Sequence, residues 1–140
     1  MRVNILYADD EPYFIEAIVS ALRDEGFHVD IVMNGSDAIT FLEKNSPDII
    51  IMDTIMPTGE KVIDGAGGRR TGLRCLEIIR KQMGLRIPVV FVTVVDDSQA
   101  QGAILEIEKS FGMENKSAIL VKPVYPTEVI ETVNGILGKN

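Results

Sequence analysis

The run Asp48-Ile49-Ile50-Ile51-Met52-Asp53-Thr54-Ile55-Met56-Pro57 decides the fold. Its apolar core, Ile49 to Met52, is short and rich in β-branched side chains, the pattern of a strand covered on both faces in a parallel sheet. It ends on a carboxylate, Asp53, and Pro57 stops further regular structure. Open α/β sheets form their ligand crevice at the carboxyl ends of the strands. One such Asp, taken alone, is more often a plain strand end or a helix cap. The rest of the chain has to decide.

The chain has 140 residues and is read as one domain, 1–140, long enough to bury a core without staples. Cys75 is the single cysteine, so no internal disulfide forms, which fits a reducing cytoplasm. The net charge of −7 argues against binding of a nucleic-acid backbone. No apolar run has the length of a membrane span, and the N-terminus lacks a charged-then-apolar signal pattern. A cytoplasmic location without membrane contact is the expectation.

Outward from the central run, Val3 to Ala8 reads as a first strand leading into Asp9-Asp10-Glu11. Pro12 suits the first position of a helix whose inward face carries Phe14, Ile15, Ile18, Ala21 and Leu22, with Gly26 at its end. Val29 to Val32 is a second strand. Asn34 or Ser36 caps a second helix bearing Ala38, Ile39 and Leu42. After the Asp53 strand and a long stretch, Thr58 to Gly72, a third helix carries Leu73, Leu76, Ile78 and Ile79. Pro88 to Thr93 is a fourth strand, and Ser98 to Ser110 a fourth helix with Ile104, Leu105 and Ile107 inward. Ala118 to Val121 is a fifth strand before Lys122-Pro123, and Val129, Ile130, Val133, Ile136 and Leu137 mark the last helix. Five alternations predict a doubly wound α/β fold with a five-stranded parallel sheet ordered 2-1-3-4-5.

That topology gathers the polar strand ends: Asp9 and Asp10, Asp53, Thr93 and Lys122. Two unit charges roughly 4 Å apart repel by about 4 kcal/mol at an effective dielectric of about 20. Three carboxylates therefore call for a hard cation, and oxygen ligands with room for water and phosphate suit Mg²⁺. Lys122 offers a cation to an anion, and the Thr93 hydroxyl can donate to it. The chemistry implied is attack by a carboxylate oxygen on a phosphoryl group, with Asp53 on the central strand as nucleophile.

Ile5-Leu6-Tyr7-Ala8-Asp9-Asp10-Glu11-Pro12, Asp53-Thr54-Ile55-Met56-Pro57, the strand ending in Thr93, and Val121-Lys122-Pro123 stand in register on alternating β/α elements. By these motifs the chain resembles the receiver domain of two-component response regulators, the CheY-like fold. The resemblance implies that Asp53 is the phosphoacceptor, in a phosphoprotein that is not a turnover enzyme. It implies that Asp10, Asp53 and the Ile55 carbonyl ligate Mg²⁺, with Asp9 acting mainly through water. Lys122 would contact the phosphoryl group, and Thr93 would move toward it. The implied donor is a histidine kinase, a histidine phosphotransfer protein or a small acyl phosphate. Downstream partners would bind the face formed by the fourth and fifth strands and helices.

Several features depart from the family pattern. The loop about 58–72 is roughly ten residues longer than usual, beyond ordinary connection lengths, and carries Asp64 as a candidate extra acidic group and Arg69-Arg70 as candidate anion contacts. Ile119 stands where an aromatic residue normally changes rotamer with the Thr, and Val94 replaces a small residue and is expected to crowd the phosphoryl site. A phosphohydrolase of the best-known aspartyl-phosphate superfamily would need an Asp at position 55, which is Ile. A nucleotide or flavin module would need a phosphate loop after the first strand, where Asp9-Asp10-Glu11 repel phosphate. A phosphorylation-independent adaptor is the alternative, but Asp10, Asp53 and Lys122 are all retained. With no output domain in these residues, the chain is expected to act by binding a partner or as part of a longer regulator.

Overall fold

The computed structural model describes residues 2–94 and 97–138. β1 (Asn4–Ala8), β2 (His28–Val32), β3 (Ile49–Asp53), β4 (Val89–Thr93) and β5 (Ala118–Val121) alternate with α1 (Pro12–Asp24), α2 (Gly35–Lys44), α3 (Thr71–Glu77), α4 (Ser98–Ser110) and α5 (Pro126–Leu137). All strand pairs are parallel, in the order β2-β1-β3-β4-β5. This is the expected CheY-like flavodoxin fold. Its cause is visible in β3 and β4, where all five residues of each strand are buried, as apolar runs without alternation require. Burial of each large aliphatic side chain there is worth about 1.5–3 kcal/mol.

The two faces of the sheet carry separate cores. Leu6, Ile50, Met52, Phe91 and Ile104 pack on the α2, α3 and α4 side. Ile5, Tyr7, Ile51, Val92 and Val129 pack on the α1 and α5 side. Pro12 opens α1, and the Asn34 side chain caps α2 by accepting from the Asp37 N–H at 2.7 Å. Ser36, the other candidate cap, instead donates to the Thr58 carbonyl and accepts from the Lys61 N–H.

Two inward assignments are corrected. Phe14 is 77% exposed, and the buried stripe of α1 is Ile15, Ile18, Val19 and Leu22. The first turn of α1 stands at the carboxyl edge of the sheet rather than over its face. Leu105 is also exposed, because α4 buries the narrow line Ala100, Ile104 and Glu108, one residue per turn. The third helix is divided as well: α3 passes at Ile78–Gln82 into a π segment, where the Met83 N–H reaches the Ile78 carbonyl at 2.9 Å.

That segment holds the ion pair Arg80–Glu108, with both side chains fully buried. Arg80 Nε and Nη2 donate to the two Glu108 oxygens at 2.7 and 2.8 Å. Arg80 Nη1 donates to the Leu85 carbonyl, and Ser117 Oγ donates to Glu108. The pair ties α3 and its π extension to α4 and to the approach to β5.

The long loop is anchored at several points. Val62 is buried, Lys61 Nζ meets Glu43 at 3.0 Å, and Arg70 Nη2 donates to Gln99 Oε1 on α4 at 3.0 Å. Asp64, a candidate acidic group for the site, is occupied inside the loop. Its carboxylate accepts from the N–H groups of Ala66, Gly68 and Arg70 at 2.9–3.0 Å. Burial opposes the Asp64 charge, but those donors outweigh it and hold the carboxyl below the usual carboxylate range. Where the loop rejoins α3, Gly72 lies so close to β3 that a Cβ there would stand 2.7 Å from the Asp53 carbonyl oxygen.

Candidate phosphoryl and metal site

β1 and β3 are neighbours, so Asp9 and Asp10 after β1 and Asp53 at the end of β3 meet at the point where the strand order reverses. One carboxylate oxygen from each lies within 4.8 Å of the others. Asp9 and Asp53 are 2% and 3% exposed, whereas Asp10 faces solvent. The site is thus a buried pair of acids with a third at its mouth.

Each buried acid is oriented by its own chain. Asp9 Oδ1 accepts from the Glu11 N–H at 2.8 Å, and Asp53 Oδ1 accepts from the Ile55 N–H at 3.0 Å. Lys122, which follows β5, donates from Nζ to Asp53 Oδ2 at 2.8 Å. Burial disfavours the Lys122 charge, but the contact with Asp53 outweighs it and raises its pKa above the ordinary value. Burial pushes the Asp9 carboxyl up to about 6; the Glu11 N–H and Lys122 act against that shift, while Asp53 and Asp10 add to it. An acid pushed up in this way is an acid short of positive charge. The donor set of hard carboxylate oxygens, one facing solvent, fits a small divalent cation that keeps water ligands. Ile55 is 38% exposed beside this site, and its carbonyl accepts no hydrogen bond among the described residues.

Thr93 ends β4 beside Asp53 but is not bonded to the acidic cluster among the described residues. Its hydroxyl accepts from Thr54 Oγ1 at 3.1 Å. Sequence reasoning did not single out Thr54, because a Thr after a strand-ending Asp looks like any β-branched residue. A cleft lined by Tyr7, Asp9, Phe14, Val94, Lys122 and Val124 opens beside the site, and Val94 is 43% exposed there. Cys75, read as inert filling, is buried, and burial pushes its thiol up to about 12. His28 lies on β2 beside Asp30 at 3.1 Å, outside the cluster.

A doubly wound sheet with three acids at its switch point and a lysine on the central one defines a class of signalling domain. The chain belongs to the response regulator receiver domain family, whose model matches residues 5–134. Among its relatives, the DNA-binding response regulator MtrA of Mycolicibacterium smegmatis is 26% identical across the whole of this chain and 53% of its own length. The probable transcriptional regulator ycf29 of Porphyra purpurea is 32% identical across the whole chain and 59% of its own. The chain thus spans little more than half the length of these relatives. Among solved structures, the chemotaxis response regulator CheY4 of Vibrio cholerae superposes with a TM-score of 0.74 at 22% identity, covering 97% of this chain and 99% of that one. A CheY-like receiver domain protein from Methanospirillum hungatei gives 0.77 at 19% identity, covering 99% and 95%. Among the described residues no helix is long and apolar enough to cross a membrane.

Proposed function

We propose that this chain is a phosphorylation switch of a two-component system, in which Asp53 accepts a phosphoryl group from a histidine kinase or a histidine phosphotransfer protein. One observation carries the reading. Asp53 is 3% exposed at the end of the central strand, with Lys122 at 2.8 Å and the Asp9 and Asp10 carboxylates within 4.8 Å. A structural carboxylate would not be expected in such company.

In the transfer, a carboxylate oxygen of Asp53 forms a bond to phosphorus as the bond from phosphorus to the donor imidazole nitrogen breaks, and the electron pair leaves with the imidazole. The Ile55 N–H holds the carboxylate in one orientation, and Lys122 offers positive charge to the arriving oxygens. Asp9, Asp10 and Asp53, with the Ile55 carbonyl, would hold Mg²⁺. When bound, that ion supplies the charge that balances the acids and the incoming phosphoryl group. Thr93 would then donate to a phosphoryl oxygen. The acyl phosphate carries roughly 1.5 to 2 negative charges where the free carboxylate carried one, and presents them on three new oxygens, which biases the face built from β4, α4, β5 and α5 toward its protein partner. The net charge of −7 speaks against direct nucleic-acid binding by these residues.

The test is the intact-protein mass after incubation with acetyl phosphate and Mg²⁺. One added phosphoryl group, lost in Asp53→Asn and in metal-free buffer, is the expected result. If a phosphorylated histidine phosphotransfer protein also leaves Asp53 unlabelled, the chain is a phosphorylation-independent adaptor instead.

A further inference from the structure

Thr54 and Thr93 stand at the ends of adjacent strands, and their hydroxyls meet in the interior. Thr54 is 1% exposed and Thr93 fully buried. Thr54 Oγ1 donates to Thr93 Oγ1 at 3.1 Å, while the Thr93 hydroxyl has only the Val94 carbonyl as acceptor, at 3.5 Å, where little is gained. Side chains alternate along β4, so Thr93 shares the face of Phe91, which packs with Leu76 and Ile104. On the neighbouring strand β5, Phe91 is paired with Ile119, whose side chain has no group that could bond a hydroxyl. Among the described residues, Thr54 is therefore the one side chain that fixes the Thr93 hydroxyl.

We propose that Thr54 is a positioning residue that retains the Thr93 hydroxyl in the resting protein, and that this contact opposes movement of Thr93 toward a phosphoryl group on Asp53. The inference rests on Asp53 being the phosphoacceptor. The balance between the two positions is a hydrogen-bond exchange. When Thr93 turns to the phosphoryl oxygens, its bond with Thr54 is given up and the Thr54 hydroxyl is left buried without its partner, which costs free energy. Replacing Thr54 by the isosteric Val changes both sides in the same direction. It leaves the Thr93 hydroxyl unpaired at rest, and it removes the orphan hydroxyl from the switched form. A ligand that selects the switched form then binds more tightly, by about the worth of one neutral hydrogen bond, or roughly five-fold.

Beryllofluoride, which adds to an aspartate carboxylate in the shape of a phosphoryl group, is the probe. Its affinity is measured by fluorine NMR in saturating Mg²⁺ for the wild-type chain, Thr54→Val and Thr54→Ser, with Asp53→Asn as the site control. The expected result is about five-fold tighter binding to Thr54→Val and wild-type affinity for Thr54→Ser, whose hydroxyl is kept. Equal or weaker binding to a folded Thr54→Val protein would overturn the inference. A measurement on the wild-type chain alone guards against a misfolded variant. The Thr93 χ1 rotamer, read from three-bond couplings, should change when the adduct forms, and an unchanged rotamer overturns the proposal equally. Absence of any adduct on the wild-type chain is a different result, which removes the phosphoacceptor reading itself and this inference with it.

Discussion

Lys122 Nζ lies 2.8 Å from Asp53 Oδ2, while the other oxygen of that carboxylate accepts the Ile55 N–H at 3.0 Å. Both oxygens of the central acid are thus held, one by a cation and one by the backbone. The cation comes from the far edge of the sheet, 69 residues along the chain. Lys122→Met removes it without removing the bulk of its stem. Labelling by acetyl phosphate is expected to slow on the order of 10²-fold, the usual loss when one charge-stabilising donor is deleted. Time-resolved intact-mass measurements check this, and an unchanged rate would mean that Lys122 only neutralises Asp53 at rest.

The three acids predict a metal-dependent stability. Binding to the folded chain alone stabilises it by ~2.7 kcal/mol at a metal concentration a hundred times the Kd. For a chain of this length that is a rise in Tm on the order of 5–10 °C. Scanning calorimetry with and without MgCl₂ should show the rise in the wild-type protein and lose most of it in Asp10→Asn. An equal rise in that variant would put the metal elsewhere.

Asp64 predicts a pH dependence. Its pKa is depressed in the folded chain, so the stability it contributes is present above the ordinary Asp value near 3.8 and lost as the pH falls through the lower, folded value. Protection of the Ala66, Gly68 and Arg70 amides against hydrogen exchange should therefore be high at pH 7 and collapse in strong acid. Asp64→Asn, which presents a single acceptor oxygen, should already be poorly protected at pH 7. Equal protection in wild type and variant at pH 7 would show that the loop is held by Val62 and Lys61 instead.

The Arg80–Glu108 pair predicts strong non-additivity. Arg80→Met strands a buried carboxylate and is expected to cost about 3–5 kcal/mol. The double variant Arg80→Met with Glu108→Leu leaves no charge behind and should recover most of that loss. Urea denaturation of the wild type, Arg80→Met, Glu108→Leu and the double variant gives the coupling directly. Additive losses would show that the pair is weaker than its geometry indicates.

How much of this was legible beforehand follows from the kind of interaction involved. β3 and β4 could be read because strands buried on both faces are spelled as unbroken apolar runs, and the strand order followed from their alternation with helices. Asp9, Asp10, Asp53 and Lys122 could be brought together because each lies at or just past the carboxyl end of a strand, and the topology fixes where strands end. Thr54 was missed because its hydroxyl becomes informative only beside Thr93, 39 residues away. Arg80 and Glu108 were missed because a lone charge in a helical pattern reads as solvated until its partner is seen. The anchoring of the long loop was invisible for another reason: Asp64 holds backbone N–H groups, which every sequence possesses. Phe14 and Leu105 were misread because helical periodicity gives the direction of a stripe but not its width.

The buried pair also constrains how this chain can vary over generations. A substitution at position 80 or 108 alone passes through a protein with a stranded interior charge, and with a typical stability of only about 5–15 kcal/mol such an intermediate is close to unfolding. The two positions therefore persist together or are exchanged in quick succession. A lineage that has acquired both is held to them more firmly than to Phe14 or Leu105, which are large and apolar but open to solvent. Descendants of this chain should thus be recognisable by Arg80 and Glu108 inherited as a unit.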